Sequence, residues 1–123
     1  MRILTTLASV LTLALGLGAS AAHAGNSIKL DQFGFGNGFG SHQTGNGNHI
    51  GASQNGAFNG VAAHQNGNGN VLGVGQFGTN NTTTVHQNGN DNIMGVLQVG
   101  NGAHSNVTQT GNGKVGLEID AGF

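Results

Sequence analysis

Apolar and amide side chains alternate with small or polar ones along most of this chain. In the segment 48–54, for example, Asn48, Ile50, Ala52 and Gln54 share one face, and the residues between them share the other. Alternation with a period of two predicts a β-strand. The residues after each Gln include a Gly, often as Asn-Gly, and Gly adopts positive φ at no steric cost, so they predict a chain reversal. We therefore expect strand and turn to alternate along the chain.

The pattern is an internal repeat of 11 residues, because every Gln falls on one series with that spacing. A Gly follows each Gln by two residues, and an Asn usually follows by five. The Gln series is Gln32, Gln43, Gln54, Gln65, Gln76, Gln87, Gln98 and Gln109; the Asn series is Asn26, Asn37, Asn48, Asn59, Asn70, Asn81 and Asn92; the Gly series is Gly34, Gly45, Gly56, Gly67, Gly78, Gly89, Gly100 and Gly111. Ala103 and Lys114 break the Asn series. Such strict phase indicates a repeat architecture.

Two all-β arrangements accommodate these arms. In an antiparallel meander, neighbouring arms pair directly; in a two-sided β-solenoid, two arms make one 22-residue coil and the coils stack. Stacking superposes like residues, and each Asn or Gln side chain can then donate to one rung and accept from the other. The solenoid is the better supported arrangement, with the Asn and Gln series as amide ladders in its core and the Gly series in its turns.

Composition narrows the class of protein further. The chain of 123 residues has 25 Gly and no Pro, Cys, Trp or Tyr, so disulfides and thiolate metal sites are excluded. A net charge of −1 provides no electrostatic attraction for nucleic acid. No catalytic constellation or cofactor motif recurs near a plausible pocket, so we predict a protein that is not an enzyme and needs no cofactor.

Residues 1–24 have the pattern of a secretory signal peptide. Met1 and Arg2 precede an apolar run, and the small-residue sequence Ala22-His23-Ala24 resembles a cleavage site. A transmembrane helix is the alternative, but the run is short and the cleavage site argues against it. We expect a mature, secreted chain from Gly25 without stable membrane insertion, divided into a repeat region, 25–113, and a variant C-terminal arm, 114–123.

The variant arm alternates in the opposite phase from the other arms. Its inward positions hold Lys114, Gly116, Glu118 and Asp120, whereas its apolar residues lie between them. A slip of one residue would turn the apolar side chains inward. The arm is either a variant end or interface strand, or a frayed terminus.

Three histidines, His42, His64 and His86, are spaced by 22 residues and predict an exposed column on successive coils. A Zn or Cu site is the weaker interpretation, because each rung offers one ligand and no carboxylate is near. Charge repulsion within the column is the stronger one, and it predicts assembly that weakens as the pH falls through the range of His titration.

A second column on the other arm, His49, Val71, Ile93 and Val115, predicts with Leu97 a mildly apolar outer face. Such a face bundles filaments or contacts surfaces, or it is a set of scattered exposed apolar residues.

The repeat resembles that of curlins, the subunits of curli fibres. Gln43, Gly45, Asn48, Ile50 and Gln54 match the Gln, Gly, Asn, apolar and second Gln of the curlin repeat, and the same match recurs from Gln65 and from Gln87. The resemblance extends from Asn26 to about Gln109. Asn replaces the family's Ser at positions 37, 59 and 81, and the Gly-rich leader of well-known curlins is not found before Asn26.

The resemblance implies an extracellular functional amyloid that serves adhesion, aggregation and biofilm matrix. It also implies self-assembly, a related curlin nucleator or major subunit as partner, and an outer-membrane secretion channel. The residues themselves favour polymerisation, because a Pro-free strand over 26–32 forms an edge that another copy can extend. A monomeric solenoid, such as an ice-binding protein, is the rival. That function needs a flat ladder of one outward residue type, whereas Thr82 and Thr84 fall on one rung only.

Overall fold

A computed structural model describes residues 25–123 of the protein, and the predicted signal peptide lies outside these residues. Nine strands form within the described range: β1 (Ser27–Phe35), β2 (Gly38–Thr44), β3 (His49–Ala57), β4 (Gly60–Asn66), β5 (Val71–Thr79), β6 (Thr82–Asn88), β7 (Ile93–Asn101), β8 (His104–Thr110) and β9 (Val115–Gly122). In this range no helix has the length and apolar character needed to cross a membrane.

The strands form two parallel sheets that face each other. Sheet A has the order β1-β3-β5-β7-β9 and sheet B the order β2-β4-β6-β8. Every paired residue lies 22 positions from its partner, as Gln32 lies beside Gln54 and His42 beside His64. The predicted two-sided solenoid is therefore confirmed, and the antiparallel meander is excluded because neighbouring arms belong to different sheets.

The core is a narrow layer between the sheets in which apolar and amide columns lie side by side. Ile50, Leu72 and Val85 are at most 2% exposed, and so are the central Gln residues such as Gln65 and Gln76. Since so thin a core holds few large apolar side chains, the buried amides must be hydrogen-bonded to be tolerated there.

Close contact between rungs explains the Gly series. All eight of its members have positive φ. At Gly56 the φ is 133°, and an added Cβ would lie 1.8 Å from the carbonyl oxygen of Gly78. The structure differs from the sequence prediction in one respect: in sheet A the ladder continues past the Gly, so that Gly34 and Gly56 are paired within strands that end one residue later. The chain bends at these glycines while the neighbouring rungs remain hydrogen-bonded.

The C-terminal arm is a strand of sheet A and shows no slip in register. Val115 pairs with Ile93 and Ile119 with Leu97, which leaves both apolar side chains more than 60% exposed. The inward carboxylates are hydrogen-bonded instead: Glu118 accepts from Ser105 Oγ at 2.6 Å, and Asp120 accepts from a backbone N–H. These bonds account for the retained register.

Candidate functional site

Two continuous ladders of Gln side chains run through the core, one on each sheet. In each ladder the Nε2 of one Gln donates to the Oε1 of the Gln on the next rung. The sheet A ladder joins Gln32, Gln54, Gln76 and Gln98 at 2.6, 2.9 and 2.8 Å. The sheet B ladder joins Gln43, Gln65, Gln87 and Gln109 at 2.8, 2.7 and 2.9 Å. The bonds all point the same way, so each ladder has a donor end and an acceptor end.

The second proton of each Gln amide other than Gln32 bonds the opposite sheet. Gln65 Nε2 donates to His49 O at 3.1 Å, and Gln76 Nε2 donates to Gly60 O at 2.9 Å. Thr83, which sequence reasoning missed, also joins the network, since its hydroxyl donates to Gln98 Oε1 at 2.7 Å. Its inward place in the alternation was the available signal. The Gln side chains thus connect rungs and also tie the two sheets together.

The Asn series works differently from the side-chain ladder that the sequence predicted. Asn59 Nδ2 donates to Gly78 O at 3.0 Å, and Asn59 Oδ1 accepts from the backbone N–H of Asn81 at 3.2 Å. The same two bonds to the next rung recur along the series, and one additional side-chain bond joins Asn70 to Asn48 at 3.1 Å. Asn is one methylene shorter than Gln, so its amide reaches the nearby turn backbone. Asn26 and Asn37 make the equivalent bonds, at Gly45 O and Gly56 O.

The breaks in the Asn series fall on the last rung of each sheet. Ala103 N donates to Asn81 Oδ1 and Lys114 N donates to Asn92 Oδ1, so the backbone at both positions is hydrogen-bonded to the rung below. Neither has a described rung above it to which an Asn side chain would bond. The Gln series differs from the Asn series in this respect, because the last rung of sheet B still has a Gln, Gln109.

Both ends of the described solenoid are bare strand edges. β1 and β2 have neighbours on one side only, as do β8 and β9. Ile28, the first residue of an inward apolar column, is 41% exposed because no rung covers it, whereas Ile50 on the next rung is 2% exposed. Within residues 25–123 no capping element covers these edges, and such edges are templates for another strand.

The three predicted histidines form a column on the outer face of sheet B. The rings of His64 and His86 stack with centroids 4.9 Å apart, and those of His42 and His64 are 6.3 Å apart. Burial lowers the pKa of His64, and the positive charges of His86 and then of His42 lower it further. Protonation is therefore unfavourable at the centre of the column.

The outer face of sheet A becomes more apolar towards the C-terminal end. Val71, Ile93 and Val115 follow His49 in one column, with exposures that rise from 38% to 47% and 77%. Leu97 lies beside Ile119 in a parallel column. Among the described residues no group of three His, Cys, Asp or Glu is placed to hold a metal ion. Thr82 and Thr84 have Gly60 and Ala62 below them, so no Thr column crosses the rungs.

Comparison with known protein families found a similarity to a repeat family. The family model described as the Curlin associated repeat matches residues 78–111, which include all of β6, β7 and β8. Searches of the curated proteins and of the solved structures each found no match. The matched segment contains one of the three matches on which the sequence resemblance was based, the one that begins at Gln87 and includes Gly89, Asn92 and Gln98. The curlin resemblance is thus confirmed for residues 78–111, where the chain carries a curlin associated repeat.

Proposed function

We propose that this protein is a structural subunit of extracellular, curli-like amyloid fibres and that it polymerises by stacking strands at its two edges. The observation that carries the proposal is the pair of bare edges on a solenoid whose ladders are directional. One edge has amide acceptors with no rung below, at Gln32 and Gln43, and the other edge has a donor with no rung above, at Gln109. Because the two ends are complementary, a second copy can satisfy these amide groups better than water or a capping element can.

The proposal includes secretion, because the predicted signal peptide precedes the solenoid and because the repeat is of the curlin type. Fibres outside the cell would support adhesion, cell aggregation and a biofilm matrix. The partners that we propose are further copies of the chain, a related curlin that acts as the nucleator or the major subunit of the fibre, and an outer-membrane secretion channel. A structural role that requires no catalysis is consistent with the repetitive, amide-rich core.

Purified chain 25–123 tests the proposal. We expect a lag phase followed by a rise in amyloid-dye fluorescence, unbranched fibres in electron micrographs and a meridional reflection near 4.8 Å in fibre diffraction. A chain that stays monomeric for days at tens of micromolar, with intact β circular dichroism, would contradict the proposal.

A charge placed on the edge supplies the matched control. Ile28→Lys puts an ammonium group at an inward position of β1, where stacking would remove it from water, at a desolvation penalty of several kcal/mol. We expect this variant to remain soluble. Asn55→Lys introduces the same side chain at an exposed, outward position of β3, away from the edges, and should assemble as the unmodified chain does. Equal fibre yields from the two variants would show that the β1 edge is not used.

A further inference from the structure

The two sheets of the described chain have unequal numbers of strands, five and four. If a second copy were added in the same orientation, its β1 would pair with β9, and one rung of sheet B would stay empty at every junction. If the second copy were first rotated by half a turn about the solenoid axis, its β1 would pair with β8 and its β2 with β9. The strands then follow one another without a gap.

We propose, on the basis of the fibre function proposed above, that successive copies are related by this half-turn. The phase of the 11-residue repeat sets the register, because the Gln positions of β1 and β8 both belong to the Gln series. Pairing Gln32 of the next copy with Gln109 places its Ser27 beside His104 and its Gly38 beside Val115. Sheet A of one copy is continuous with sheet B of the next.

The Gln ladder supports the rotated junction. Rotation places Gln32 of the next copy above Gln109. The free Nε2 proton of Gln109 can then donate to the unpaired Oε1 of Gln32, and the ladder of sheet B continues. Without rotation, Gln32 would lie above Asp120, whose carboxylate already accepts from His104 N at 3.0 Å. Asp120 lies below a Gln in either arrangement, Gln43 in the rotated one, so the rotated junction has one more amide bond.

A buried hydroxyl points to the same junction. Ser41 Oγ is the buried side-chain polar atom without a hydrogen-bond partner in the described residues. Rotation places Ser41 of the next copy above Glu118, whose Oε1 accepts from Ser105. The carboxylate has further acceptor capacity for the Ser41 hydroxyl. Without rotation, the apolar Leu30 would cover this carboxylate and would leave it without a second donor.

The outer faces also match better after rotation. Gly38 and Gly40 of the next copy lie beside Val115 and Leu117, and glycine leaves room for a neighbouring aliphatic side chain. Leu117 already leans over Gly95 in this way, 3.2 Å from where a Cβ would be. Without rotation, Lys29 of the next copy would lie beside Leu117. Both junctions lack the Asn bonds of an internal rung, because Ala103 and Lys114 replace Asn there.

The symmetry of the unmodified fibre is the first test. By cryo-electron microscopy we expect a rotation near 180° between subunits, modified by sheet twist, and a rise of about 22 Å, which is four and a half rungs at the usual spacing of about 4.8 Å. A rotation near 0° with a rise of about 24 Å, five rungs, would overturn the half-turn and leave the fibre function intact.

Disulfide trapping is the second test, and the chain has no Cys of its own. In the rotated junction Asp31 lies beside Thr108 of the preceding copy; without rotation it lies beside Ile119. All three side chains are exposed. Neighbouring rungs are about 4.8 Å apart, within the Cα separation of about 4.4–6.8 Å that a disulfide tolerates. Cysteines at 31 and 108 lie on different sheets of one copy and at opposite edges, so no bond forms within a chain.

We expect oxidised fibres of the double variant Asp31→Cys/Thr108→Cys to give a ladder of covalent multimers on a non-reducing denaturing gel. Asp31→Cys/Ile119→Cys fibres should yield at least tenfold fewer cross-links, close to the single variant Asp31→Cys, which controls for lateral contacts. Fibres that cross-link through position 119, or through neither pair, overturn the half-turn. Lys29→Cys with Asn106→Cys or Leu117→Cys repeats the comparison on the same strands. Absence of fibres from the unmodified chain would instead count against the proposed function.

Discussion

Replacing Gln65 by Leu removes one step from the middle of the sheet B ladder at nearly constant volume. Gln65 is 1% exposed and makes three side-chain hydrogen bonds: it accepts from Gln43 at 2.8 Å and donates to Gln87 Oε1 at 2.7 Å and to His49 O at 3.1 Å. Leu can replace none of them, and it leaves the Gln87 acceptor buried beside a methyl group.

The expected loss follows from these contacts. Three bonds at about 1 kcal/mol each, together with a buried acceptor left unpaired, amount to about 4–5 kcal/mol. Burial of the Leu side chain offsets about 2 kcal/mol of this. The net decrease in the free energy of unfolding is therefore about 2–3 kcal/mol, a substantial part of the roughly 5–15 kcal/mol that stabilises an ordinary domain.

Urea unfolding of freshly dissolved monomer, followed by circular dichroism, measures this decrease. Asn66→Leu is the matched control, because it makes an amide-to-Leu replacement one residue away on an exposed position; we expect a change within about 0.5 kcal/mol. If Gln65→Leu is as stable as the control, the ladder contributes no net stability, and the explanation of the strict Gln spacing is wrong.

Two further predictions concern pH and turn geometry. Burial and the charges of His86 and His42 lower the pKa of His64 in the folded state. The unfolded chain therefore binds a proton at this residue more readily than the folded chain does. Stability is highest above the ordinary pKa near 6.5, where His64 is neutral in both states, and decreases as the pH falls below that value. The urea midpoint should therefore be lower at pH 5 than at pH 7.5, and less so in His64→Asn; equal drops in both chains would contradict the role of the column. Gly56→Ala forces a Cβ to within 1.8 Å of the carbonyl oxygen of Gly78 on the next rung, at a positive φ. This variant should lower the free energy of unfolding by about 3 kcal/mol or more, and the thermal midpoint with it. Gly73→Ala is the control, because an added Cβ there has nothing within 4 Å, and its thermal midpoint should be nearly unchanged. Equal midpoints for the two Ala variants would refute the close-approach argument.

The roles of Gln and Asn were not equally accessible to sequence reasoning. The strict series of Gln predicted stacked amides, and the bonds of Gln65 have that form. For Asn59 the same reasoning named the wrong acceptor, since the side chain bonds the turn backbone of the next rung. Side-chain length decides this difference, but only against a turn whose three-dimensional path is known.

The sequence by itself determined the strand period, the 11-residue repeat and the residues that stack, because each depends on spacing along the chain. Only the tertiary structure decided the register of the last arm, where hydrogen bonds of Glu118 and Asp120 outweigh the exposure of Val115, Leu117 and Ile119. It also decided which edges are bare and in which direction the Gln ladders point. These properties depend on which rung lies above which, a relation between residues far apart in sequence that a local pattern does not contain.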